Sequence, residues 1–509
     1  MSTQLNTTNV QQSPTWRNRI VQRYGMSMPI QQMMTIPNWL TGKAIAFFFI
    51  PLISCWVLFG HIPAINLIIV SSISVVLFFG LGHALSNNWL HNSEKRFLRN
   101  IFTTGFFIRL IWVVYMFFLF NPEHYGTTYG DRADVDWFMS FARDLADWIM
   151  GDTYYTLAQV IEVNDGAIDD VGYPMWLAVE YLLTGGLSYV FIPMIVKCVV
   201  GAYCAICIYR IAKRHFGVGT ARIAAIFVCL NPNMIYWCAS MMKETEMVFV
   251  CCMAVDKMDE ALSSGNKLTL RTLWPGILLG LFMFFLRTAL GLAFFGGVMM
   301  HIVLASNKVI NINTKIIAGL LIVIMLLVTV GDRVLRQSSQ YLATAQSDAQ
   351  QQNMEWRSER KGGNSFARYA GAAVFAPLIF TMPFPTFNTA EASQLLQVQL
   401  SGGYFIKNVL SAFVLYILFV LLFSGKWRNH VFILAYTCAY LMVLVLSGFA
   451  QSGRFHMPIW PMLMLLAAYG LQYVRQNKKL RDMYIYVLIA EVFVCIAWNW
   501  FKLAGRGLI

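Results

Sequence analysis

Residues 101–142 read IFTTGFFIRLIWVVYMFFLF, then NPEHYGTTY, then GDRADVDWFMSFA. At 1.5 Å per residue, a helix over the first block is long enough to cross the roughly 30 Å of bilayer hydrocarbon. The last block sets Asp131, Asp134 and Asp136 beside aromatic residues, where the chain should leave the lipid. An apolar helix that delivers acids to a membrane boundary points to an integral membrane protein with polar chemistry at one face.

The composition agrees. Of 509 residues, 58% are hydrophobic and only 12% charged, which excludes a soluble globular chain. The apolar runs are continuous and not alternating, so a β-barrel is excluded and the expected class is an all-α polytopic membrane protein. The net charge of +13 comes from Lys and Arg in short loops between runs. There they orient a membrane protein, and no nucleic-acid partner is expected. The ten cysteines fall in or beside apolar runs with no zinc spacing, and read as small apolar filler.

The runs predict about thirteen spans, near 44–60, 64–84, 101–120, 188–209, 221–239, 245–256, a hairpin over 272–305 broken near Arg287, 314–330, 404–424, 431–448, 455–473 and 483–501. Residues 1–43 read as a polar cytoplasmic tail without a cleavable signal peptide, and 44–509 as the transmembrane domain. Basic residues then fall in phase: Arg17, Arg19, Arg23 and Lys43; Lys95, Arg96 and Arg99; Arg210, Lys213, Arg214 and Arg222; Lys308 and Lys315; Lys426 and Arg428; Arg475, Lys478, Lys479 and Arg481. The positive-inside rule places all six clusters in the cytoplasm and two large loops, 121–172 and 331–403, outside. Within the second loop, 369–387 is apolar but carries Pro377, Pro383 and Pro385, so a re-entrant or surface-lying element is expected rather than a crossing.

The same phase sends Lys243–Glu244, Arg287 and Arg454–His456 to the outer ends of their spans. Ionisable groups in apolar runs are costly and need partners or water. Their shared side predicts one polar cavity facing outward. Asp134, Phe138 and Ala142 lie four residues apart, on one face of an amphipathic helix at the interface. A carboxylate held there among other acids can act as a base on a hydroxyl, or two of Asp131, Asp134 and Asp136 can share a divalent cation. The plainer reading is a solvated acidic loop with helix caps. Arg454 also reads as a snorkelling anchor, His456 as a packed boundary histidine, and Tyr173 and Trp176 as interface-belt residues.

In chain order, the Asp-x-x-x-aromatic-x-x-x-Ala pattern is followed by GYPMWLA at 172–178, NPNMIY at 231–236, Lys243–Glu244, and RFHMPIWP at 454–461. Together these resemble the GT-C glycosyltransferases that use polyprenyl-phosphate sugars, such as protein O-mannosyltransferases and aminoarabinose transferases. The resemblance covers roughly 100–260 and 450–475. It implies a polyprenyl-phosphate sugar donor, a glycan, lipid or protein acceptor, and inverting transfer at the outer face, with Asp134 as base and Asp131 and Asp136 as rivals. Lys243, Arg287, Arg454 and His456 become candidate ligands of the donor phosphate, supported by Glu244 and Tyr173. Phe138 stands where Tyr is more usual, and Lys243–Glu244 where many relatives have Ser-Glu. No pattern in 331–403 identifies the acceptor. A polymerase or ligase of lipid-linked oligosaccharides is the second reading and a transporter the third; the outward bias of the charges counts against transport. The expected location is a bacterial inner membrane, with the N-terminus cytoplasmic and the site periplasmic.

Overall fold

The computed structural model describes residues 32–120, 132–164, 171–185, 190–263, 270–304, 359, 364–366, 372–387, 395–447 and 449–509. Among them the regular elements are all helical, with no strand. The first helices are α1 (Asn38–Phe59), α2 (Ile65–Asn88) and α3 (Glu94–Val114), the last prolonged by a π-helical turn at Tyr115–Phe120. Three shorter helices follow, α4 (Arg132–Met150), α5 (Leu157–Val163) and α6 (Gly172–Leu183). Then come α7 (Phe191–Leu230), α8 (Glu244–Ser263) and the hairpin of α9 (Leu270–Leu286) and α10 (Thr288–Leu304). The last group is α11 (Leu395–Ser424), α12 (Val431–Leu446), α13 (Trp460–Gln476) and α14 (Lys478–Ala504).

Seven helices among the described residues, those built on α1, α2, α3, α7, α11, α12 and α13, are long and apolar enough to cross a bilayer. The hairpin helices are apolar but shorter, and Arg287 stands at the expected break between them. The expected span at 314–330 and most of the loop at 331–403 lie outside the described residues. The first helix starts at Asn38, ahead of the boundary expected at residue 44.

The runs expected as separate spans at 188–209 and 221–239 meet within α7, forty residues in which two helical arms are separated by a kink at Gly217, whose non-helical φ of 84° favours glycine. Its second arm ends at Leu230, because Pro232 has no N–H with which to extend it. Asn231 instead caps a new short turn, accepting from the Met234 N–H at 3.0 Å.

A bend leaves backbone groups that must find other partners. Gln32 supplies them: Nε2 donates to the Phe216 carbonyl at 2.9 Å, and Oε1 accepts from the N–H groups of Gly219 and Thr220 at 3.0 and 3.3 Å. The residues after Gln32 are tied down as well. The Met33 N–H donates to Gln472 and its carbonyl accepts from the same amide, Arg475 donates to the Thr35 carbonyl, and the Ile36 N–H donates to Ser86. The stretch before α1 is thus docked across α7, α13 and α2.

Among its described residues, the segment expected to be broken at its prolines contains a short helix, Ala372–Phe375, and a 3₁₀ turn, Ala376–Leu378, and no longer helix. Its buried continuation is held by side-chain amides. Asn408 of α11 donates to the Thr381 carbonyl, and Asn499 of α14 pairs with the Phe387 N–H and the Pro385 carbonyl. Non-helical backbone at this depth is tolerated where protein groups satisfy it.

Polar contacts, from exposed to buried, define two ends of the bundle. At one end Lys213 pairs with Glu94, Arg222 donates to the carbonyls of Trp89, Leu90 and Asn92, Arg214 binds Asp256 and Asp259, and His215 meets His430. Asp259 is near the end of α8, whose twenty residues span about 30 Å. Glu244 starts the same helix, so the charges around it gather at the opposite end.

Candidate active site

Helix α4 is amphipathic by register. Val135, Phe138, Phe141, Ala142 and Leu145 are buried, whereas Asp134, Asp136, Arg143 and Asp147 are exposed. Its buried face packs on α6, where the Phe138 and Tyr173 rings meet edge to face at 5.1 Å. The start of α6 presses on the end of α9: a Cβ at Gly172 would fall 2.7 Å from the Phe285 carbonyl oxygen. Glycine there lets the acidic helix approach the Arg287 break.

Asp134 sits in the first turn of α4, where the helix dipole favours negative charge. Its carboxylate accepts from Arg454 Nη1 at 2.9 Å. Arg454 also donates through Nε to the buried Glu244 at 2.5 Å. One guanidinium therefore joins the acid of the interfacial helix to the acid that opens α8. Asp134 keeps half of its side-chain surface exposed, while Glu244 keeps none, so Asp134 alone of the pair can meet a ligand from solvent.

Lys243 is buried, donates to the Leu286 carbonyl at 3.0 Å and stands 5.8 Å from the centre of the Phe138 ring. Arg287 donates to the Tyr440 hydroxyl at 3.1 Å and its guanidinium lies 4.3 Å from the centre of the Phe455 ring. Asp134, Lys243, Arg287 and Arg454 line one cavity of about 420 Å³, closed by Trp137, Phe138, Phe449 and Phe455 on its aromatic side and by residues of α12. That volume falls within the range of small-molecule sites. Three cations and one accessible carboxylate in an aromatic cavity match an anionic leaving group beside a proton acceptor.

The remaining expected residues lie elsewhere. Asp136 is exposed on α4 but does not line the cavity, and Asp131 lies outside the described residues. His456 is fully buried, bonded to the Ala450 carbonyl at 2.7 Å and to Lys407 at 3.2 Å, and does not line the cavity. Tyr173 is buried behind Phe138, with Lys197 4.8 Å from its ring centre. Lys197 forms a fully buried pair with Glu246 at 2.6 Å, so a second ion pair underlies the site. For a divalent cation, Asp134 is already engaged by a guanidinium, and no group of three possible ligands is assembled among the described residues. Reading the sequence alone misses Tyr440, Trp137 and Phe449 of the cavity wall, because an aromatic residue in or beside an apolar run carries no distinguishing pattern.

The profile of one protein family, described as the Alg9-like mannosyltransferase family, matches residues 168–504, well over half of the chain. The match includes Tyr173, Lys243, Glu244, Arg287, Arg454 and His456 and starts after α4, which carries Asp134. No curated protein and no solved structure matches the chain.

Proposed function

Since the chain belongs to the Alg9-like mannosyltransferase family, a family of GT-C membrane glycosyltransferases, we propose that it transfers a sugar from a polyprenyl-phosphate donor to an acceptor hydroxyl, with inversion at the anomeric carbon. The observation that carries this reading is the single cavity in which Lys243, Arg287 and Arg454 converge with the half-exposed carboxylate of Asp134. The family name makes mannose the first sugar to test.

The acceptor O–H gives its proton to Asp134 as its oxygen bonds to the anomeric carbon. The bond from that carbon to the phosphate oxygen breaks on the opposite face, and the electron pair stays on polyprenyl phosphate. Negative charge therefore grows on the phosphate in the transition state, where preoriented cations have their largest effect. A phosphate that accepts from Arg454 also competes with Asp134 for that guanidinium, and so weakens the ion pair on the base as the donor arrives. Trp137, Phe138, Phe449 and Phe455 offer faces for the sugar ring and the first isoprene unit. The chemistry takes place at the end of the bundle away from the basic clusters, the outer face by the positive-inside rule.

The test is mass spectrometry of lipid that co-purifies with the protein. A polyprenyl monophosphate, free or carrying a hexose, is the expected species. Recovery of a polyprenyl diphosphate oligosaccharide instead would favour the polymerase or ligase reading and overturn this one.

A further inference from the structure

Two of the cations facing the cavity come from different parts of the chain, and one hydroxyl joins them. Tyr440 on α12 is fully buried yet contributes to the cavity wall. Its hydroxyl oxygen lies 3.1 Å from Arg287 Nη1 and 2.9 Å from the carbonyl oxygen of Phe455, the residue after Arg454. Donor and acceptor roles follow from chemistry. A guanidinium only donates and a carbonyl only accepts, so the hydroxyl proton is directed to Phe455 and a lone pair of the oxygen to Arg287. The Phe455 ring, 4.3 Å from the same guanidinium, fixes Arg287 from a second direction and is itself stacked on Phe449 at 4.2 Å.

We propose that Tyr440 is a positioning residue for the donor phosphate, a bracket that sets Arg287 relative to the turn carrying Arg454. The proposal rests on the transferase reading above. Arg454 is already held by Glu244 and Asp134, so for both arginines to meet one phosphate Arg287 needs a reference to the turn that carries Arg454. A hydroxyl committed in opposite senses to one arginine and to the backbone beside the other supplies it. Because binding and catalysis depend on placement to within about 0.5 Å, a lost bracket weakens phosphate capture even though both charges remain.

The experiment is a double-mutant cycle on the purified full-length protein, with farnesyl phosphate as the probe and its dissociation constant read by calorimetry. Y440F removes only the hydroxyl oxygen and should weaken binding about tenfold in the wild-type background. In the R287A background the same change should cost less than about twofold, since the group it positions is gone. R287K provides a second background that keeps the positive charge but loses the planar fork, and there too Y440F should add little. A purely structural role for Tyr440 predicts the same penalty in every background, and that additive result overturns the proposal. So does a Y440F protein that binds like wild type. Failure of the wild-type protein to bind farnesyl phosphate at all would overturn the transferase reading and this inference together, whereas additive penalties on an intact site overturn only the inference.

Discussion

Asp134 and Asp136 are two residues apart on a helix, which turns their side chains about 200° from one another. Arg454 and His456 stand in the same relation within the helical turn Gly453–His456. In each pair one member faces the cavity and the other does not, so a cluster legible in sequence is divided by helical geometry into two environments. The charged lining could be read from sequence because Lys243, Arg287 and Arg454 interrupt apolar runs, where a charge needs a reason. The partner of Arg287 could not, since a tyrosine in an apolar run is unremarkable until the fold sets it against a guanidinium. The same geometry gives a prediction. Asp134→Asn should lower transfer at least about a hundredfold, the scale of a lost general base, with little change in folding. Asp136→Asn should stay within about threefold of wild type, as expected for a side chain outside the cavity. The measurement is turnover with a polyprenyl-phosphate sugar, and the reverse ranking would transfer the base from Asp134 to its neighbour.

Among the elements, α6 shows how the fold supports a site it does not itself line. Its twelve residues are too few to cross a bilayer, and it is wedged between α4 and the end of α9. Glu180 on this helix is buried, with Oε1 accepting from the Trp176 indole at 2.6 Å. Burial, and then the charge of Glu246, pushes its carboxyl up to about 8 from an ordinary value of 4.5. A pKa raised by folding means that the native state holds the proton more tightly than the unfolded chain. This contribution is complete below the unfolded value and is lost as the pH rises through about 8. Thermal stability of the purified protein should therefore fall between about pH 4.5 and pH 8 and level off above that, and E180Q, which keeps an acceptor for Trp176, should flatten that decline. An equally steep decline in E180Q would remove Glu180 as its source. Nothing in the sequence signals this group: GYPMWLAVEYLL shows one glutamate among apolar residues, and only packing decides whether it is solvated.

For the whole molecule, the phase of the basic clusters carried the most information. It separates Arg214, Lys213, Arg222, Lys426 and Arg475 from Lys243, Arg287 and Arg454, and the helices hold these two sets at opposite ends. The two arms of α7 were legible as two apolar runs, but the group that meets the backbone on both sides of the kink was not, because nothing around Gln32 marks it for that role. Orientation can be tested with single cysteines at Asp147 and Arg481, both exposed, in a cysteine-free background. A membrane-impermeant maleimide applied to intact cells should label D147C and spare R481C. The reverse pattern would put the cavity in the cytoplasm.

The docking of residues 32–36 also has a consequence in time. Met33 and Thr35 are held by Gln472 and Arg475, partners 439 and 440 positions later in the chain. At a synthesis rate of roughly 5–20 residues per second, those partners leave the ribosome about 20 to 90 seconds after the residues they hold. During that interval the bend at Gly217 can recruit Gln32, but the α13 half of the dock does not yet exist. The latch at the basic end is thus completed only when the penultimate helix has been made, and it records that biosynthesis has passed that point.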